Sequence, residues 1–122
     1  MLLVSCSLAK VDDQKARDVA ENLMKDMISQ HYADLDKYYT ASFNESEPRE
    51  AKEEKFKKLL AVMGPVKSYE LIGTKHDDSI DNGGPKVELR YKLVCEKVTA
   101  IHTLVIINDE GTHKIAFQNF EN

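Results

Sequence analysis

The sequence predicts an α+β fold, in which three helices pack on one face of a curved, four-stranded antiparallel sheet. Apolar residues recur at steps of three and four up to residue 63, and afterwards they alternate or run continuously in short stretches. A block of helices followed by a block of strands is typical of helices segregated on one face of an antiparallel sheet. The length of 122 residues fits one domain with one core.

The composition narrows the class of protein. Hydrophobic residues make up 42% and charged residues 31%, as in ordinary globular domains. The formal net charge of −4 argues against a nucleic-acid partner, because the phosphate backbone favours a basic surface. The apolar runs of the sequence are shorter than the roughly 20 residues that span a bilayer.

The helices are predicted from their spacing and their end signals. Asp12 or Asp13 is expected to cap the first helix. Pro48 suits the first turn of the third helix, and Gly64-Pro65 ends it. The three predicted helices are residues 12–29, the stretch "YADLDKYYTASF", and the segment from Pro48 to Gly64.

The strands are predicted from alternation. In "KVELRYKLVCEK" every second residue is apolar or aromatic, so this strand has one buried face. The next strand is apolar on both faces and is therefore placed in the sheet's interior. Gly111 in "DEGT" supplies the turn that follows. The other predicted strands are "VKSYELIGTK", "TAIHTLVIIN" and "HKIAFQNF".

Four stretches carry a resemblance to a known superfamily: "YADLDKYYTASF", "LAVMGPVKSYELIG", "VELRYKLVCEK" and "TLVIINDEGTHKIAFQNF". With the predicted layout, they resemble the cystatin-like, nuclear transport factor 2-like superfamily over residues 12 to 120. Among its members they are most similar to small exported bacterial proteins of unassigned function. The resemblance implies a cone, formed by a long N-terminal helix and shorter helices over the sheet. His113 departs from the pattern, which favours tryptophan there.

The resemblance does not imply a catalytic site in this chain. Ketosteroid isomerase-like and dehydratase-like relatives place an aspartate inside the cone as a base, whereas the predicted core face of these strands carries no Asp or Glu. The sequence therefore predicts a non-catalytic protein without a cofactor, and no Cys/His spacing suggests a metal site. A small lyase or isomerase that uses polar residues inside the cone remains the alternative.

Predicted strand pairing brings three polar residues together. A tight hairpin through Lys97-Val98 and a four-residue loop at "DEGT" set the register. In that register Tyr91, His102 and Asn119 share the core face. They are predicted to line the cone as ligand-binding residues; the alternative is that Tyr91 and His102 satisfy each other in the core. A one-residue bulge would move such residues to the opposite face.

On the strand "TAIHTLVIIN", the opposite face of the sheet carries an unusual apolar stripe. Val94, Ala116 and Phe120 are predicted to lie on the same face beside it. Apolar residues on the side away from the helices indicate a covered surface. Because members of the superfamily dimerise sheet to sheet, the stripe is predicted to form a homodimer face; the alternative is a helix or terminus folded across it. The stripe consists of Ile101, Thr103, Val105 and Ile107.

The first residues resemble a lipoprotein signal. Leu3-Val4-Ser5-Cys6 places apolar and small residues before a cysteine, as in bacterial lipoproteins, where that cysteine is lipidated. Residues 1–11 are thus interpreted as a signal remnant and tether, and residues 12–122 as a single domain. Membrane anchoring through Cys6 and a periplasm-facing place in the cell envelope follow; a cytoplasmic protein with a short tail is the alternative. Cys95 alternates with core residues and is expected to be buried.

These observations lead to one principal hypothesis. The chain is expected to be a non-catalytic envelope lipoprotein domain that binds an unknown ligand or protein partner through its cone or its sheet face. The enzyme described above is one alternative. A soluble inhibitor or immunity-type interaction protein is the other.

Overall fold

The computed structural model describes residues 9–79 and 83–122. Cys6 and most of the predicted tether lie outside these residues. The helices are α1 (Asp13–Ser29), α2 (Ala41–Ser46) and α3 (Arg49–Met63), with a 3₁₀ turn at Leu35–Tyr38 before α2. The strands are β1 (Val66–Asp77), β2 (Lys86–Cys95), β3 (Thr99–Asp109) and β4 (Thr112–Glu121). They form one curved antiparallel sheet in the order β1-β2-β3-β4, which confirms the predicted α+β class.

Helix α1 lies across the sheet and seals its inner face. The Asp12 carboxylate caps it by accepting from the Lys15 N–H at 2.9 Å. Gln30, with a φ of 60°, ends it in the left-handed conformation. The buried residues of α1 follow the predicted spacing and are Ala16, Ala20, Leu23, Met24 and Met27.

The predicted second helix is interrupted in its middle. Tyr39 is extended and forms a bridge with Ile115, and the Thr40 N–H donates to the Ile115 carbonyl at 3.0 Å. The Thr40 hydroxyl then caps α2 by accepting from the Phe43 N–H at 3.1 Å. The segment is broken because its backbone supplies hydrogen bonds to the edge of β4.

Helix α3 ends where the turn between β2 and β3 docks against it. Gly64 has a φ of 82°, and a Cβ there would lie 2.9 Å from the Cβ of Glu96. Only glycine fits this approach. The Lys97 N–H donates to the Met63 carbonyl at 2.8 Å, so the turn is fastened to the helix end.

The core lies between the helices and the inner face of the sheet. The predicted alternation of β2 is confirmed, since its inward residues are all buried. Bulges bend the two edge strands, β1 near Ile72 and β4 at Ala116. The buried inward residues of β2 and β3 are Val87, Leu89, Tyr91, Leu93, Cys95, Ala100, His102, Leu104 and Ile106.

Candidate functional site

Tyr91 and His102 lie directly opposite each other on the inner face of β2 and β3. The predicted register was wrong by two residues, because the hairpin closes through the Cys95 N–H donating to the Val98 carbonyl at 2.9 Å. The two-residue turn is Glu96-Lys97, which the end of α3 holds in place. A shift of two residues keeps each side chain on its face, so Tyr91 and His102 point inward as predicted.

A bulge at Ala116 moves the second half of β4 by one residue relative to the predicted pairing. Asn119 therefore pairs with Thr103 on the outer face and is exposed, so its predicted place in the cone is wrong. Its neighbours Gln118 and Phe120 take the inner positions, and Phe120 does not belong to the outer stripe. The pairs on either side of the bulge are Ile106 with Ile115 and Val105 with Phe117.

His102 is enclosed in the core and is 0% exposed. Its Nε2 lies 3.0 Å from Oε1 of Gln118, and its ring stacks on Phe120 with centroids 3.9 Å apart. Burial lowers the pKa of His102 to about 4, against the opposing effect of the Gln118 hydrogen bond. His102 is thus a neutral imidazole at neutral pH, and its Nδ1 has no hydrogen-bond partner among the described residues.

Tyr91 joins a polar group at the edge of the core. Its hydroxyl donates to Oε2 of Glu21 at 2.9 Å, and Nε of Arg17 lies 3.5 Å from the same oxygen. Burial, with the hydrogen bond to Glu21, raises the pKa of Tyr91 above its usual value, so the phenol stays protonated. These three side chains and Tyr69 line a cavity of about 400 Å³ between α1 and the first two strands.

A second polar cluster lies in the helical layer and was not predicted. Lys52 is 0% exposed, and its Nζ donates to Asp36 and to Asn44 at 2.7 Å each, and to the Glu47 carbonyl. The ammonium also lies 4.8 Å from the ring centroid of Tyr39. One buried lysine therefore ties the 3₁₀ turn, α2 and α3 together.

The sequence carries a signal for both Lys52 and Glu21, although neither was predicted to reach the core. Lys52 stands four residues before Phe56, at the position where the apolar stripe of α3 would continue. Glu21 stands three residues before Met24 and beside Ala20, on the border of the buried face of α1. A charged residue at helical spacing from a buried stripe reaches into the core when it finds a partner there.

The outer face of the sheet carries the predicted apolar stripe. Ile101, Thr103, Val105 and Ile107 are all half-buried on this face of β3. Phe117, which the bulge turns outward, is 52% exposed beside Val105.

The other half of this face is charged. Lys92 lies 3.8 Å from Glu70, and Lys86 lies 3.9 Å from Asp77, so β1 and β2 are bridged by ion pairs. The outer face therefore divides into an apolar half on β3 and β4 and a charged half on β1 and β2.

Cys95 is buried, and burial raises the pKa of its thiol, which makes it a poor nucleophile. Within residues 9–79 and 83–122, no group of three or more His, Cys, Asp or Glu residues is arranged to hold a metal ion. No helix in those same ranges has the length and apolar character needed to cross a membrane.

Fold and site together define an α+β domain with a packed interior and a half-apolar outer sheet face. Neither a protein-family model nor a curated protein sequence matches the chain.

Proposed function

We propose that the chain is a non-catalytic domain of the bacterial cell envelope, anchored by lipid on Cys6 and binding a partner through the outer face of its sheet. The observation that carries the proposal is the contrast between the two faces. The inner face is packed against helices, whereas the outer face leaves an apolar stripe in contact with solvent. An apolar surface of this kind favours binding to another macromolecule.

The interior offers little to a ligand. His102 is enclosed, and Tyr91 is only 1% exposed. Nε2 of His102 meets Gln118, and the Tyr91 hydroxyl meets Glu21, both from the chain itself. These contacts favour the structural interpretation of the predicted Tyr91–His102 pair, and they support a binding surface on the outside of the fold.

The partner that we propose for the outer face is a second copy of the chain. Lys92, Ile101 and Glu121 form one row across β2, β3 and β4, with opposite charges on either side of an apolar residue. In an aligned sheet-on-sheet dimer with its two-fold axis along β3, Lys92 of one copy meets Glu121 of the other. This charge complementarity, together with the stripe, supports a self-complementary interface.

The dimer is tested by sedimentation equilibrium of the purified domain. Val105→Asp places a charge in the centre of the stripe and should make the domain monomeric. Lys58→Asp is the matched control, because Lys58 is 75% exposed on α3, in the helical layer on the other side of the sheet. A wild-type domain that is monomeric at micromolar concentration contradicts the dimer.

The anchor is supported by Leu3-Val4-Ser5-Cys6 and by the resemblance to exported bacterial proteins. It is tested by growing cells that express the natural gene with an alkynyl fatty acid. Wild type and Cys95→Ser should incorporate the label, and Cys6→Ser should not. Recovery of the unlabelled chain with Met1 intact in the soluble fraction would instead support a soluble interaction protein.

One observation favours a second candidate, a small isomerase or lyase. Glu21 brings a carboxylate to the Tyr91 hydroxyl in a cavity of about 400 Å³, and a carboxylate beside a protonated phenol is an acid–base pair suited to removing a proton next to a carbonyl. This carboxylate comes from α1 and not from the strands. The enzyme would use Glu21 as the base and Tyr91 as the hydrogen-bond donor to the developing oxyanion.

Proton exchange tests this candidate without knowledge of the natural substrate. The domain is incubated in D₂O with cyclohexanone, and loss of the proton signal next to the carbonyl is followed by NMR. Exchange that Glu21→Gln and Tyr91→Phe abolish, and that Lys58→Asp retains, would establish the enzyme. Exchange equal to the protein-free rate leaves the binding domain as the better proposal.

A further inference from the structure

The start of the domain is fastened to one end of the sheet. Val11 packs against the core, and the Asp12 N–H donates to Nε2 of His113 at 2.9 Å. Nδ2 of Asn108 donates to the Lys10 carbonyl at 3.1 Å. Lys10 is therefore held beside the turn that joins β3 to β4.

This attachment limits how far Cys6 can lie from the sheet. Four residue steps separate Cys6 from Lys10 in the sequence. Since an extended chain spans at most about 3.6 Å per residue, their Cα atoms are within about 14 Å of each other. An acyl chain on Cys6 would hold the neighbouring end of the domain close to a bilayer.

The two ends of the sheet are distinct. The end near Lys10 carries the start of α1, the end of β1 at Asp77, the start of β2 at Lys86, and the turn between β3 and β4. The opposite end carries Gly64 and the Glu96-Lys97 turn. Because the 11 residues of β3 are joined by ten steps of about 3.3 Å, the two ends are about 33 Å apart.

We infer that the end formed by the β3–β4 turn and the start of α1 is a surface that lies against a lipid bilayer, while the Glu96-Lys97 end points away from it. The inference rests on the proposed lipidation of Cys6. Its further consequence concerns the stripe, which runs along β3 from Ile107 near the membrane to Ile101 far from it. The outer face then meets partners approaching along the membrane, such as a second anchored copy.

The experiment measures the distance of each end from the lipid headgroups. A donor dye is attached to Thr112→Cys or to Lys97→Cys in the lipidated chain, since both positions are exposed and lie at opposite ends. Buried Cys95, whose thiol has a raised pKa, should stay unlabelled. The protein is reconstituted in phosphatidylethanolamine–phosphatidylglycerol vesicles that carry an acceptor dye on their headgroups. Energy transfer should be several-fold greater from Thr112→Cys.

A lengthened tether provides the matched control. A Gly/Ser insertion of about 20 residues between Ser7 and Leu8 adds a mean reach of about 25 Å and should reduce the difference between the two positions. Equal transfer from the two positions in vesicle-bound protein, or greater transfer from Lys97→Cys, overturns the orientation and leaves the anchor intact. A wild-type chain that does not float with vesicles, like Cys6→Ser, overturns the anchor itself.

Discussion

The two faces of β3 have the same backbone but opposite surroundings. Inward residues such as His102 and Leu104 are 0% exposed, whereas their outward neighbours Thr103 and Val105 are half-buried. Both faces are mainly apolar, so hydrophobicity alone does not separate them. What separates them is cover, because the helices lie on one side only.

This difference in cover explains how the polar side chains on each face of the sheet are partnered. On the inner face a polar side chain must find a partner within the chain, and His102 finds Gln118 while Tyr91 finds Glu21. On the outer face the charged side chains pair across β1 and β2 in contact with water. The inner polar side chains therefore contribute to stability, whereas the outer face is left open for the partner that we propose.

Removal of Lys52 should have the largest effect on the covered side. Lys52→Met leaves the side-chain oxygen of Asn44 and the carbonyl of Glu47 without their donor, while Asp36 is 47% exposed to water; we expect the free energy of unfolding to fall by about 4 kcal/mol. Urea denaturation measures the change. Lys58→Met is the control, because Lys58 is 75% exposed in its pair with Glu54 and should contribute less than about 1 kcal/mol. Equal losses would show that the buried cluster is not a stabilising element.

Adjacent residues on β3 test the comparison directly. His102→Ala should lower the free energy of unfolding by about 3 kcal/mol, since it removes a packed ring and leaves Gln118 without its partner. Thr103→Ala, on the outer face, should change it by less than about 0.5 kcal/mol. Thermal or urea denaturation of both variants gives the two values. Similar losses at the two positions would mean that the outer face is covered in the isolated domain.

Lowering the pH should destabilise the fold through His102, which lies on the covered inner face of the sheet. Its pKa is about 4 in the folded state and 6.5 ordinarily, so the unfolded chain binds more protons between these values and stability falls as the pH drops below 6.5. From pH 6.5 to 5 the loss from this group should approach about 2 kcal/mol. His102→Gln should not show this part of the loss in the free energy of unfolding, as measured by urea denaturation across this pH range. His113, whose pKa is also lowered by burial, is common to both proteins and cancels in the difference. Parallel pH profiles would contradict this account.

The sequence predicted these two faces because strand alternation depends only on local pattern. The buried set of β2 lies where its alternation placed it, and the stripe of β3 lies on the predicted face because a two-residue shift in its pairing with β2 keeps each side chain on its face. Register depends on more distant contacts. The two-residue error at Tyr91 arose because α3 draws Glu96-Lys97 into its own hydrogen bonds, a contact that no strand pattern contains.

The errors on β4 and in the helices have related causes. The bulge at Ala116 exchanged Asn119 for Gln118 on the inner face, and the sequence around it carries no glycine to mark it. Lys52 and Glu21 were missed because charged residues are usually exposed on helices. Both are held by partners from other elements, Asp36 and Tyr91, which only the tertiary structure brings near.

The smallest expected effect concerns the uncovered face and its proposed second copy. Lys92→Glu or Glu121→Lys places like charges opposite each other twice in the symmetric dimer, which should weaken dimerisation by about 1–2 kcal/mol, or roughly 5–30-fold in Kd. The double variant exchanges the charges and should recover most of the wild-type affinity in sedimentation equilibrium. Lys58→Glu, on α3, should leave the Kd unchanged. If the double variant is as weak as the sum of the two single variants, Lys92 and Glu121 do not meet, and a two-fold axis along β3 is wrong even if the domain dimerises through this face.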